Sequence, residues 1–152
     1  MTYYAQSLTA CGDTYDDSTY TAAISHLMYD SWAGANTAET NRNPVCGPFQ
    51  CHVPLTATVT NPANNASLTV HIADRCDACA DNDIDLTPAS FLKLTLPDLD
   101  TSGFAIGDYM VEASKNQLGR VPVTWSFDKK QMFGPVRGQR KTGCVQGCAA
   151  DA

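Results

Sequence analysis

The chain has 152 residues, 43% hydrophobic and 17% charged, which suits one domain with a buried core and excludes a disordered chain. Its formal charge of −6 is uneven: residues 128–152 carry a local net of +3, which leaves −9 on residues 1–127. So acidic a body excludes a phosphate-reading surface, and no run of 18 apolar residues exists to span a membrane, so neither nucleic acid nor membrane is an expected partner.

In chain order, Thr2, Tyr3 and Tyr4 open a β-prone run. Met1 leads straight into it with no signal peptide, as in a mature chain given an added start residue. Turn material follows from Leu8 to Ser18, and Tyr20–Ile24 reads as a strand. Ser25 is placed to cap a short turn through His26-Leu27-Met28-Tyr29-Asp30. A polar loop runs from Trp32 to Pro44. Two alternating β-branched runs, His52–Thr60 and Ser67–Ala73, flank an Asn/Pro/Ala turn and make the clearest hairpin. The sequon Asn65-Ala66-Ser67 lies in that turn, where a glycan would be exposed.

Beyond the hairpin, Asp74 to Asp85 holds five aspartates and two cysteines. Thr87 and Pro88 then read as the N-cap and first position of a helix. Leu94–Gly119 reads as a long connection with a strand at Tyr109–Ala113. In Arg120–Phe127 the residues Val121, Val123, Trp125 and Phe127 share one strand face, and Trp125 is expected in the core. The remainder has no period. Short strands, many turns and one or two short helices predict a mainly β fold, a small barrel.

Seven cysteines stand at 11, 46, 51, 76, 79, 144 and 148. With few lysines and a sequon, they indicate the secretory route, extracellular localisation and disulfides. The count is odd, and spacing leaves the pairing open.

Metal binding is poorly supported. Asp81, Asp83 and Asp85 have the opening spacing of a calcium loop, but Leu86 and Leu92 replace its glycine and its final glutamate. Cys46, Cys51, Cys76 and Cys79 offer four sulfurs to zinc, yet disulfides explain them better in a secreted chain. No metal or other cofactor is expected. His26, His52 and His71 form no catalytic pattern, and no serine or cysteine nucleophile motif is present. Carboxylates remain. Asp85, between Ile84 and Leu86, and Asp74, at a strand end, suit a carboxyl whose pKa is raised into the range of a proton donor to a glycosidic oxygen. The same residues read equally well as a helix cap and an ion pair with Arg75.

Several motifs occur together and in order: Ala10-Cys11-Gly12, Ile24–Gly34, Asn43–Gly47, Ala73–Cys79, Asp85–Phe91 and Gly119–Phe127. As a set they resemble the fungal expansin-like proteins called loosenins, of the rare-lipoprotein-A-like double-psi β-barrel superfamily. The resemblance covers residues 2–127, with an insertion within 95–118. It implies a six-stranded, disulfide-stapled double-psi barrel over 1–127; the basic cysteine-bearing extension over 128–152 has no counterpart in that family.

It further implies secretion, a monomer, and binding of cell-wall polysaccharide, cellulose or chitin, through an open groove. Asp85 takes the place of the groove aspartate in the family's Asp-Leu-Ser/Thr-Pro motif, and Asp74 that of a second aspartate. Thr2 and Tyr4 match first-strand groove positions. Trp32, with Tyr3, Tyr4 and Tyr29, supplies aromatics for stacking on sugar, although a loop tryptophan can equally fold back to plug the barrel.

Cys76 stands where bacterial expansins have tyrosine. Ala5 stands where related endoglucanases carry a catalytic-base aspartate, so loosening without net hydrolysis is expected rather than conventional hydrolase activity. Family pairing would place Cys11, Cys46, Cys76 and Cys79 in two bridges and leave Cys51 for Cys144 or Cys148. Related barrels also serve as protease inhibitors and plant–microbe interaction proteins, and weak lytic cleavage of glycan is a further alternative.

Overall fold

In a computed structural model, residues 1–47, 55–115 and 119–128 are described. Six strands form one sheet: β1 (Thr2–Tyr3), β2 (Thr21–Ser25), β3 (Thr56–Asn61), β4 (Ala66–Cys76), β5 (Ile84–Leu86) and β6 (Thr124–Phe127). Their order is β1-β5-β2-β4-β3-β6. The pairs β1–β5 and β2–β4 are parallel, whereas β2–β5, β3–β4 and β3–β6 are antiparallel. Val121 N, just before β6, donates to Met1 O at 2.9 Å, joining the two outer strands and closing the sheet into a barrel. This is the mainly β, six-stranded barrel that the sequence predicts.

The hairpin forms as expected, with Thr56↔His71 through Asn61↔Ala66 in register. Its turn places Asn65 in the left-handed region at φ 59° and exposed, a conformation asparagine tolerates better than most residues. Ser25 caps α1 (His26–Asp30), accepting from Leu27 N. Thr87 caps α2 (Pro88–Thr95), accepting from Ser90 N, with Pro88 in the first turn. The barrel interior is filled by Ile24, Val59, Val70, Ile72, Ile84, Leu86 and Phe91, each 0% exposed.

Tyr109–Ala113, expected as a strand, lies inside a third helix, α3 (Ile106–Lys115). Ala113 is fully buried and Tyr109 and Met110 half-buried, so the contact follows helical spacing along the side packed on α2. Asp108 Oδ2 accepts from Ala105 N at 2.8 Å, half of a capping box. The last strand is also shorter than Arg120–Phe127: only Thr124–Phe127 pairs, with β3.

Among the described residues two disulfides are formed, Cys11–Cys46 and Cys76–Cys79. Cys51, Cys144, Cys148 and the expected extension beyond Asp128 lie outside the described residues. Among the described residues no helix is long and apolar enough to cross a membrane.

Candidate functional site

The candidate site follows from strand register. Thr2 pairs with Asp85, Asp85 with Ala23, and Ala23 with Asp74, so four residues form one row across β1, β5, β2 and β4. Partners directly opposite one another point their side chains to the same face. Two carboxylates therefore share a face with one strand between them, and that strand contributes only a methyl group, from Ala23. A register irregularity between Ala22 and Ala23 brings Ala23 opposite Asp74. Two inter-strand steps put the Asp74 and Asp85 backbones about 10 Å apart.

First-strand hydroxyls reach these acids. Thr2 Oγ1 donates to Asp85 Oδ1 at 2.7 Å, and the Tyr4 hydroxyl donates to Asp74 Oδ2 at 3.1 Å. Asp74 Oδ1 also accepts from Ala10 N at 2.8 Å and Arg75 N at 2.9 Å, so three donors orient it. All four residues are half-buried. Burial, the largest influence, raises the Asp85 pKa; the Thr2 hydrogen bond works against it, and the Asp74 charge adds a smaller push upward. Tyr4 stays neutral, its pKa pushed up first by burial and then by Asp74. Its neighbour Gln6 is buried at 8% exposure, with neither amide atom hydrogen-bonded among the described residues.

Neither alternative reading of these aspartates matches the geometry. Thr87 rather than Asp85 caps α2. Arg75 turns away from Asp74, as successive strand residues do, and grips Asp30 with Nε and Nη2 at 2.8 and 2.7 Å. It also contacts Asp77.

The expected aromatics are spread out. Tyr3 points inward, its ring 4.6 Å from that of Phe91. Trp32 folds back, half-buried, onto Phe127 at 4.9 Å. Trp125 is half-buried rather than in the core; it lies 5.4 Å from Phe127 and its Nε1 donates to Asn82 O at 2.9 Å, beside the aspartate-rich turn. Tyr29 is buried at 1%. Sequence reasoning missed Ala23, whose small size matters only once two acids flank it. The paired alanines in Thr21-Ala22-Ala23-Ile24 were the available sign.

The sulfurs of Cys76 and Cys79 and a carboxylate oxygen of Asp85 lie within 4.8 Å of one another. Joined as a disulfide, the sulfurs present no thiolate, so this trio is not a metal site in the oxidised protein.

A family model described as lytic transglycolase, of the double-psi β-barrel type, matches residues 1–125. Among curated proteins no sequence match was found. Of solved structures, the Streptomyces papain inhibitor is similar at 27% identity and a TM-score of 0.52, over 84% of this chain and 88% of that one. An apo expansin from Clavibacter michiganensis is similar at 21% identity and a TM-score of 0.48, over 84% of this chain. The match spans 47% of that expansin, about half its length.

Proposed function

The chain belongs to the double-psi β-barrel family described as lytic transglycolase, and from that membership we propose a secreted, loosenin-type expansin-like protein. On this reading it binds cell-wall polysaccharide, cellulose or chitin, and loosens polymer contacts without net hydrolysis. The observation that carries the reading is the row Thr2–Asp85–Ala23–Asp74, with its two half-buried acids on one face.

Asp85 is the active group. Its raised pKa leaves a larger protonated fraction at mildly acidic pH than an exposed aspartate has, so it can donate to a glycan oxygen. Thr2 aims that carboxyl. Asp74, already held by three donors, orients Tyr4 and accepts a sugar hydroxyl on its remaining lone pairs. Ala5 is exposed and offers no base at the first strand.

The test is retention on cellulose and chitin, together with a wall-loosening assay and product analysis, for wild type and Asp85→Asn. Retention with loosening that Asp85→Asn abolishes, and no released sugar, is the expected result. Undiminished loosening by a folded Asp85→Asn variant would falsify the mechanism. Sugar release that depends on Asp85 would make the protein a lytic enzyme, as the family description has it.

The similarity to the papain inhibitor favours a second reading, in which exposed loops bind a protease and the acids are idle. Stoichiometric inhibition of papain that survives Asp85→Asn, without glycan retention, would select that reading.

A further inference from the structure

The Cys76–Cys79 bridge has no part in the function proposed above, yet it stands against the row's central acid. Cys76 ends β4 two residues after Asp74, and its Sγ lies 4.0 Å from Asp85 Oδ2. The bridge spans a sequence separation of 3. Cys76 is half-buried, whereas Cys79 is buried at 7%. The other bridge, Cys11–Cys46, spans 35 positions and is buried at both ends, at 7% and 1%.

We propose that Cys76–Cys79 is a thiol–disulfide exchange centre set into the carboxylate face, with low-molecular-weight thiols as its reductant. Three features support this. The constraint a cross-link places on the unfolded chain grows with the logarithm of loop length, so this short ring contributes about half of what the longer one does, and β4 and β5 are held independently by pairing with β2. Cys76 is the less buried residue of the two, so its Sγ is taken as the sulfur attacked and Cys79 Sγ as the leaving group. Asp85 lies beside both sulfurs, a carboxylate oxygen within 4.8 Å of each, so its charge acts on both.

A thiolate RS⁻ attacks Cys76 Sγ and the Sγ–Sγ bond breaks. Its electron pair leaves on Cys79 Sγ, which takes a proton from water. A second RS⁻ attacks the outer sulfur of the mixed disulfide and releases RSSR. Cys76 departs as a thiolate and is protonated in turn. Two thiols are oxidised to one disulfide, and the protein bridge gains two electrons and two protons.

The charge on Asp85 makes the centre selective for the reductant. Arg75 is committed to Asp30 and Asp77, and the Met1 ammonium offsets only part of the local negative charge, to which Asp74 and Asp83 also contribute. His26 meets Cys76 only at its carbonyl, with Nδ1 at 3.3 Å. A cationic thiol should therefore react faster than an anionic one of similar size.

The experiment treats the full, folded protein with cysteamine or mercaptoacetate at matched thiolate concentration, traps thiols with N-ethylmaleimide, and maps the labelled peptides. Cys76 and Cys79 are expected to be labelled about tenfold faster with cysteamine than with mercaptoacetate. Cys11 and Cys46 should remain bridged and the far-UV spectrum unchanged. In Asp85→Asn the preference between the two thiols should shrink. Labelling of both bridges together, or only with loss of the fold, would overturn the proposal. Equal rates for the two thiols would overturn the role of Asp85, and that arm needs no variant. None of these readouts depends on glycan binding.

Discussion

The two cross-links stand in opposite settings. Cys11–Cys46 joins two segments that lack sheet: the turn after β1, and the polar loop that follows α1. Around it Tyr29 and Asn43 form a hydrogen-bonded network. The Tyr29 hydroxyl lies 3.9 and 3.3 Å from the two sulfurs and donates to Thr40 O at 2.6 Å. Asn43, buried at 2%, donates to Tyr29 O at 2.7 Å and accepts from Val45 N at 3.0 Å. Cys76–Cys79 sits where paired strands already hold the chain, next to a carboxyl that burial makes reluctant to ionise. Where the sheet is absent, a long bridge and a buried polar network do the holding. Where it is present, a short bridge is mechanically spare and free to react.

The largest expected effect breaks or upholds that contrast directly. Replacing Cys11 and Cys46 by alanine should cost about 4 kcal/mol of unfolding free energy, and replacing Cys76 and Cys79 about 2 kcal/mol, from loop length alone. Chemical denaturation of the two double variants measures both, and equal losses would end the comparison. Next, Asn43→Ala strands Val45 N and takes one donor from Tyr29 O, which keeps its backbone donors, and should cost about 2 kcal/mol. Tyr29→Phe, which loses the hydroxyl's bond to Thr40 O, should cost about 1 kcal/mol in the same assay.

The smallest effect is electrostatic and lies on the other side. Because burial raises the Asp85 pKa in the folded state, its contribution to stability is fully present below the ordinary carboxylate range. That contribution is lost as pH rises through the raised value. Asp85→Asn should therefore melt higher than wild type at neutral pH and converge with it in acid. A thermal-melt series across pH checks the sign, and a constant difference would show that Asp85 titrates as an exposed aspartate does. Thr2→Val removes the hydrogen bond that opposes the shift, so the Asp85 carboxyl should titrate still higher by carbon NMR.

Local signals in the sequence were legible where one residue type has one job. Ser25 and Thr87 cap the helices they precede, and Pro88 occupies the first turn. The alternating runs around residues 61–66 form the hairpin. Tyr109–Ala113 misleads because a β-prone pentapeptide is outweighed by the contacts of Tyr109, Met110 and Ala113 along α2 and by the Asp108 cap. Of the candidate site, Thr2, Tyr4, Asp74 and Asp85 were each named from sequence. Their row was not, because it depends on Ala23 and on a register irregularity that no local pattern encodes.

By itself the sequence determined the class of fold, the helix caps, the hairpin and the individual acids, since these rest on contacts within a few residues or on recurring motifs. Tertiary structure decided which acids share a face, which cysteines pair, and that Trp32 lies on Phe127 while Cys76 meets Asp85. Parallel pairing of β1 with β5 and of β2 with β4 joins segments far apart in the chain, and only closure of the barrel brings those side chains within bonding distance.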